Sequence, residues 1–127
     1  MRKQLSTNTI NLNTVIALCP ISYTISIVGG RWKPLIIDRL MSKEELRYSE
    51  LKKLIPPVTE RMLTAQLKEM EQDGLVERVV YDTKPPKVVA YRLTARGHSL
   101  KGVLHELLAW GQENAPAAIG MPVLTAQ

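Results

Sequence analysis

The residues with the clearest chemical content are Arg61, Thr64, Ala65 and Lys68, within the stretch VTERMLTAQLKEMEQD (58–73). Wound as a helix at about 100° per residue with Leu63 set against a core, Arg61, Ala65, Lys68 and Gln72 point away and Thr64 stands at the side. The outward row is basic, small and polar. Long cationic donors reach phosphates and guanine edges, and small residues permit close approach, which is what a helix lying in a DNA major groove needs. Thr59 precedes this helix as a cap. Glu60 has two readings: a first-turn acid that favours the helix dipole, or an acceptor for a cytosine amino group. Glu69 and Glu71 fall in the second half, away from the turns that enter a groove.

A second group of cations follows. Lys84 and Lys87 flank the tip DTKPP (82–86) of a hairpin, with Arg78 and Arg92 on its strands. Positive charge at a hairpin tip suits phosphate or minor-groove contact; alone, it reads equally as a solvated turn. Ser49 and Lys52, on the short helix before the turn, are placed to hold phosphates. Cys19 precedes a proline at a helix start, where the dipole favours thiolate. It has two readings: a sulfur that senses oxidants or electrophiles, or pairs with a second subunit, and an inert packed thiol.

Other chemistry finds little support. Gly29-Gly30 lacks the third glycine and the preceding strand of a phosphate loop. His98 and His105 lie on roughly one face of the last helix with no cysteine or carboxylate at supporting spacing, so they read as surface histidines rather than a metal pair. No Ser/His/Asp arrangement is legible. The expectation is a protein that is not an enzyme and carries no metal or cofactor.

These residues need elements to position them. Residues 1–14 are rich in Ser, Thr and Asn, and a loose arm is expected through residue 18. Pro20 opens a helix with Ile21, Ile25 and Val28 as its apolar stripe, ended by Gly29-Gly30. Arg31–Met41 is the next helix, with Trp32 as a core anchor and Leu35, Ile36 and Leu40 inward. Ser49 caps a helix to about Ile55 with Leu51, Leu54 and Ile55 inward, and Pro56-Pro57 forces a turn. The helix after Thr59 buries Leu63, Leu67 and Met70 and ends at Gly74. Leu75–Tyr81 and Lys87–Leu93 are paired strands. Thr94 caps a final helix carrying Leu100, Val103, Leu104, Leu107 and Leu108 up to Trp110. Residues 115–127 form a frayed tail. The sum is a mostly helical α+β winged helix-turn-helix over residues 19–114, with terminal helices available for dimerisation.

Composition agrees. The chain has 127 residues, enough for one domain with its own core. Phe is absent, so Leu, Ile, Val and Met must build that core. The net charge of +5 favours an anionic partner, but its distribution says more. Residues 46–73 carry five basic and five acidic residues, while residues 74–101 carry six and two. The excess sits in the hairpin. One cysteine excludes an intrachain disulfide. No apolar run approaches the roughly 18 residues of a spanning helix, and VIAL (15–18) is too short for a secretion signal, so a cytoplasmic protein with no membrane partner is expected.

The pieces CP (19–20), GGRWKPLII (29–37), LRYSELKKLIPPVTERMLTAQLKEMEQDGLVER (46–78), YDTKPPKVVAYRLTARG (81–97) and the WG at 110 together resemble the HxlR-type winged helix-turn-helix regulators. The resemblance covers about Cys19 to Asn114. It implies a homodimeric transcription factor that binds double-stranded DNA and dimerises through its terminal helices, with Thr59–Asp73 as reading helix and Asp82–Lys87 as wing. It also implies, from some members, a sensing role for Cys19. Two positions depart from the family pattern: Tyr48, where Phe or another aromatic is common, and Glu60, where a neutral polar residue is commoner. The resulting expectation is a sequence-specific regulator on a partly palindromic operator. The alternative is a winged helix that docks proteins through its apolar last helix; the cancelling charges of 46–73 keep it open.

Overall fold

Residues 7–116 are described in a computed structural model. In chain order the elements are α1 (Thr7–Leu18), α2 (Pro20–Val28), α3 (Lys33–Met41), β1 (Leu46–Arg47), α4 (Tyr48–Leu54), α5 (Glu60–Gln72), β2 (Val76–Asp82), β3 (Val88–Leu93), α6 (Ala95–His98) and α7 (Lys101–Asn114). The helix order and late hairpin of a winged helix-turn-helix are present, mostly helical with one small antiparallel sheet of order β1-β3-β2.

The core is aliphatic. Ile36, Ile37, Leu40, Leu51, Leu63, Leu67 and Met70 are fully or almost fully buried, and Trp32 and Leu35 pack against them half-buried. Helix α5 is held into this core at both ends. At its start, Thr59 accepts a hydrogen bond from the Met62 amide at 3.1 Å. At its end, Gly74 takes φ +76°, and the Leu75 amide reaches back to the Met70 carbonyl at 2.9 Å. This wrap-around satisfies the last carbonyls and is open to glycine at no steric cost.

Several elements differ from the sequence expectation. Helix α1 occupies most of the stretch expected to be a loose arm, and packs on α2. Residues 1–6 and 117–127, most of the expected tail, lie outside the described residues. Helix α4 begins two residues early, so Arg47 is the N-cap and Ser49 lies inside the helix. Glu50 accepts from the Arg47 amide at 2.8 Å; Arg47 carries no acceptor of its own, so it cannot complete a reciprocal capping box. Leu54, expected inward, is 43% exposed. The expected single last helix is two, α6 and α7. The Ser99 hydroxyl takes the Arg96 carbonyl at 2.5 Å, the acceptor that the Leu100 amide would use in a continuing helix, and that amide bonds Gly97 instead.

The terminal helices leave much apolar surface open. Leu18, Ile21 and Ile25 on α1 and α2 are 81%, 67% and 60% exposed. On α7, which packs on α3, Val103, Leu107 and Trp110 are exposed and no residue is buried.

Candidate nucleic-acid interface

With Leu63, Leu67 and Met70 turned into the core, Arg61, Thr64, Ala65, Lys68 and Gln72 are all exposed. The row expected from helical winding is therefore an open face. Glu60 lies at the first position of α5, exposed, where its carboxylate meets the positive end of the helix dipole.

One residue ties this face to the preceding helix. The Tyr48 hydroxyl donates to the Glu60 carbonyl at 3.1 Å and lies 3.1 Å from the Thr64 hydroxyl. It bridges the start of α4 to the first two turns of α5, and so fixes the angle of the helix-turn-helix.

Beside Tyr48 a cleft of about 410 Å³ opens between α4, α5 and the wing, lined by Arg47, Tyr48, Ser49, Thr64, Arg78 and Lys87 among others. The fold thus brings four of the expected site residues to one place: Ser49, Thr64, Arg78 and Lys87. Arg47 and Tyr48 were not among them. Lys52 is half-buried on α4 and does not line the cleft, and Lys84 sits exposed at the wing tip. There its amide donates to the Asp82 carboxylate at 3.0 Å, which orders the turn before Lys87.

The two faces of the wing differ sharply. Arg78 lies across from Tyr91 in the ladder. Burial pushes the Tyr91 phenol above its ordinary range, and the Arg78 guanidinium beside it works against that rise. A guanidinium has five donors, so the neutral phenol beside it leaves most of Arg78 for an anion. On the other face, Arg92 donates to Glu77 at 2.7 Å and lies 3.9 Å from Glu45. The Tyr81 hydroxyl donates to the same Glu45 at 2.5 Å. Arg92, placed with the wing cations by the sequence, is neutralised and faces away from the cleft.

Glu69 is likewise engaged inside the protein. It accepts from Lys33 at 2.7 Å, and Lys33 is only 6% exposed. This pair clamps α3 to the back of α5, so α5 carries its acids on faces other than its outward row.

Cys19 is the N-cap of α2 and half-buried. Its amide bonds the Val15 carbonyl at 3.0 Å, and its carbonyl accepts from Ser22. Leu18 and Ile21, close to it in sequence, are among the most open apolar residues of that surface. His98 and His105 are exposed, and among the described residues no three His, Cys, Asp or Glu side chains gather as a metal cluster. Among the same residues no helix is long and apolar enough to cross a membrane.

Comparisons with known proteins agree with this layout. Residues 27–118 match the family described as HxlR-like helix-turn-helix. The HTH-type transcriptional regulator YtcD of Bacillus subtilis (strain 168) is 44% identical over 97 residues, covering 76% of this chain and 75% of its own length. Among solved structures, the redox regulator HypR in its oxidized form superposes with a TM-score of 0.69 at 36% identity, over 77% of this chain and 99% of that one. The quinone-bound YodB from B. subtilis superposes with a TM-score of 0.63 at 36% identity, over 75% and 97%.

Proposed function

The chain belongs to the HxlR-like helix-turn-helix family of transcriptional regulators, and from that premise we propose that it acts in the cytoplasm as a homodimer reading a partly palindromic operator. The observation that carries this is the cleft: three cations and four hydroxyls meet beside the exposed face of α5. Arg61 and Thr64, with Ala65 allowing approach, face base edges. Ser49, Lys52 and Lys68 hold phosphates, Arg47 and Arg78 grip the backbone from the cleft, and Lys84 and Lys87 anchor the wing. Thr59 and Glu60 set the start of the helix that enters the groove.

The exposed apolar residues of α1, α2 and α7 supply the dimer surface. A twofold axis through it would place two reading helices in successive major grooves, about 34–36 Å apart. Cys19 lies beside this surface, and solved relatives include proteins described as a redox regulator and as quinone-bound. We extend the proposal to a thiol switch: oxidation or alkylation of Cys19 shifts the terminal helices and changes DNA release.

A gel-shift titration tests the roles. Arg61→Ala loses preference for the operator over random DNA, while Lys87→Ala weakens both alike. If neither changes binding, the assignment is wrong. For the switch, diamide takes two electrons and two protons from a pair of thiols, and a quinone adds the thiolate at a ring carbon. Either reagent must alter DNA release in the native protein and leave Cys19→Ser unaffected; an equal response in both removes Cys19 from the switch.

A further inference from the structure

The hydrogen bonds around Tyr48 constrain what Thr64 can read. A phenol has one proton and a carbonyl oxygen can only accept. The Tyr48 proton goes to the Glu60 carbonyl, 3.1 Å away. The contact between the Tyr48 and Thr64 oxygens, also 3.1 Å, then needs the Thr64 proton. Thr64 is exposed and lines the cleft, yet it faces DNA with its donor spent and only lone pairs free.

Resting on the DNA-binding reading above, we infer that Tyr48 is a positioning residue that turns Thr64 into an acceptor-only base reader, selecting an exocyclic amino group. A phosphate oxygen only accepts, so a Thr64 without a free proton gains nothing from the backbone. In the major groove the donors that base edges present are the N6 amino group of adenine and the N4 amino group of cytosine. Guanine O6 and thymine O4 would face Thr64 lone pair to lone pair. The selectivity is thus for amino over keto at one base position of each half-site. Its sharpness depends on a hydroxyl 16 residues earlier in the chain. Arg61, with donors only, has the complementary preference for guanine, so adjacent residues of one helix face would read opposite hydrogen-bond polarity.

The test uses an operator selected from random DNA by the full chain, then resynthesised with single atoms removed. Purine replaces each adenine, and pyrimidin-2-one each cytosine, so that only the amino group is lost. At one position per half-site the loss should lower wild-type affinity roughly three- to tenfold, the range of one neutral hydrogen bond, and leave Thr64→Val unaffected. Tyr48→Phe, which frees the Thr64 proton, should shrink the penalty at that same position and no other, and reselection with it should admit keto bases there. A merely structural role for Tyr48 would instead weaken all positions together. The inference falls if no amino deletion separates wild type from Thr64→Val, or if the Thr64-dependent position proves to read a keto oxygen. Should Tyr48→Phe fail to fold, the amino deletions on wild type and Thr64→Val still decide. A wild-type chain that selects no DNA at all would instead overturn the DNA-binding reading itself.

Discussion

The two wing arginines offer a sharp test, because they lie on adjacent strands and differ in what they face. Arg78 opens onto the cleft with one contact, to Tyr91; Arg92 is held by Glu77 at 2.7 Å and Glu45 at 3.9 Å. Each phosphate neutralised on duplex DNA steepens the plot of log affinity against log salt by about 0.9. Loss of one contact therefore removes about 3.5-fold of the affinity change between about 50 and 200 mM salt. Arg78→Ala should flatten the slope by about 0.9, and the triple replacement of Arg47, Arg78 and Lys87 by Ala by about 2.7. Arg92→Ala should leave it unchanged, since that charge is already compensated. Fluorescence anisotropy with a labelled duplex across four salt concentrations measures this, and a thermal melt of each variant separates loss of binding from loss of fold. An equal flattening by Arg92→Ala and Arg78→Ala would refute the division of the wing into a binding face and a self-neutralised face. So would an unchanged slope in the triple variant.

Two further outcomes concern the scaffold. Lys33 is nearly buried, so Glu69→Ala leaves an ammonium without its 2.7 Å partner. Denaturant unfolding should show a loss of about 1–3 kcal/mol, partly recovered in the double variant Lys33→Met/Glu69→Ala, because an apolar side chain needs no partner there. The Tyr91 phenol is raised above its ordinary value of 10.0 by burial. Above that value the unfolded chain has lost this proton while the folded chain keeps it, so stability falls as pH rises. Unfolding curves from pH 9 to 11 should show Tyr91→Phe losing part of that decline relative to wild type.

How much of this was legible from the sequence follows from the range of each interaction. Helix α5 was legible because its signals are local: a capping threonine, apolar residues at three-to-four spacing, and a glycine at the end. The outward row came with it. Strand β1 was not, since two residues carry no periodicity and the strand exists only through pairing with β3. The break between α6 and α7 was missed because it turns on one hydroxyl capturing one carbonyl. The charges of the wing were counted correctly but not sorted. Alternation puts Glu77 and Arg78 on opposite faces, yet only the ladder register shows that Glu77 meets Arg92. Tyr48 passed as a mild departure from an aromatic pattern because its ring is what periodicity sees, while its hydroxyl acts 12 and 16 residues away.

The same long-range contacts explain how a helix whose segment has no net charge can be a reading element. Its two ends are held by different side chains. Tyr48 fastens the first turns to α4, the end proposed to enter a groove. At the far end, the Arg96 guanidinium donates to the Asp73 carbonyl at 3.0 Å and also to the Tyr23 hydroxyl of α2. Arg96 therefore joins the C-terminus of α5 to the helix that Cys19 caps. On the proposed thiol switch, a displacement of α2 would act through Arg96 on the end of α5 remote from Arg61 and Thr64. Between these ends, Lys33 and Glu69 hold α3 to α5. On the proposed reading, affinity would rest on the cleft cations, base choice on the first turns of α5, and any response to the state of Cys19 on the link through Arg96. These three sets of residues lie on different elements and share no side chain, so each can change by mutation with the other two left standing.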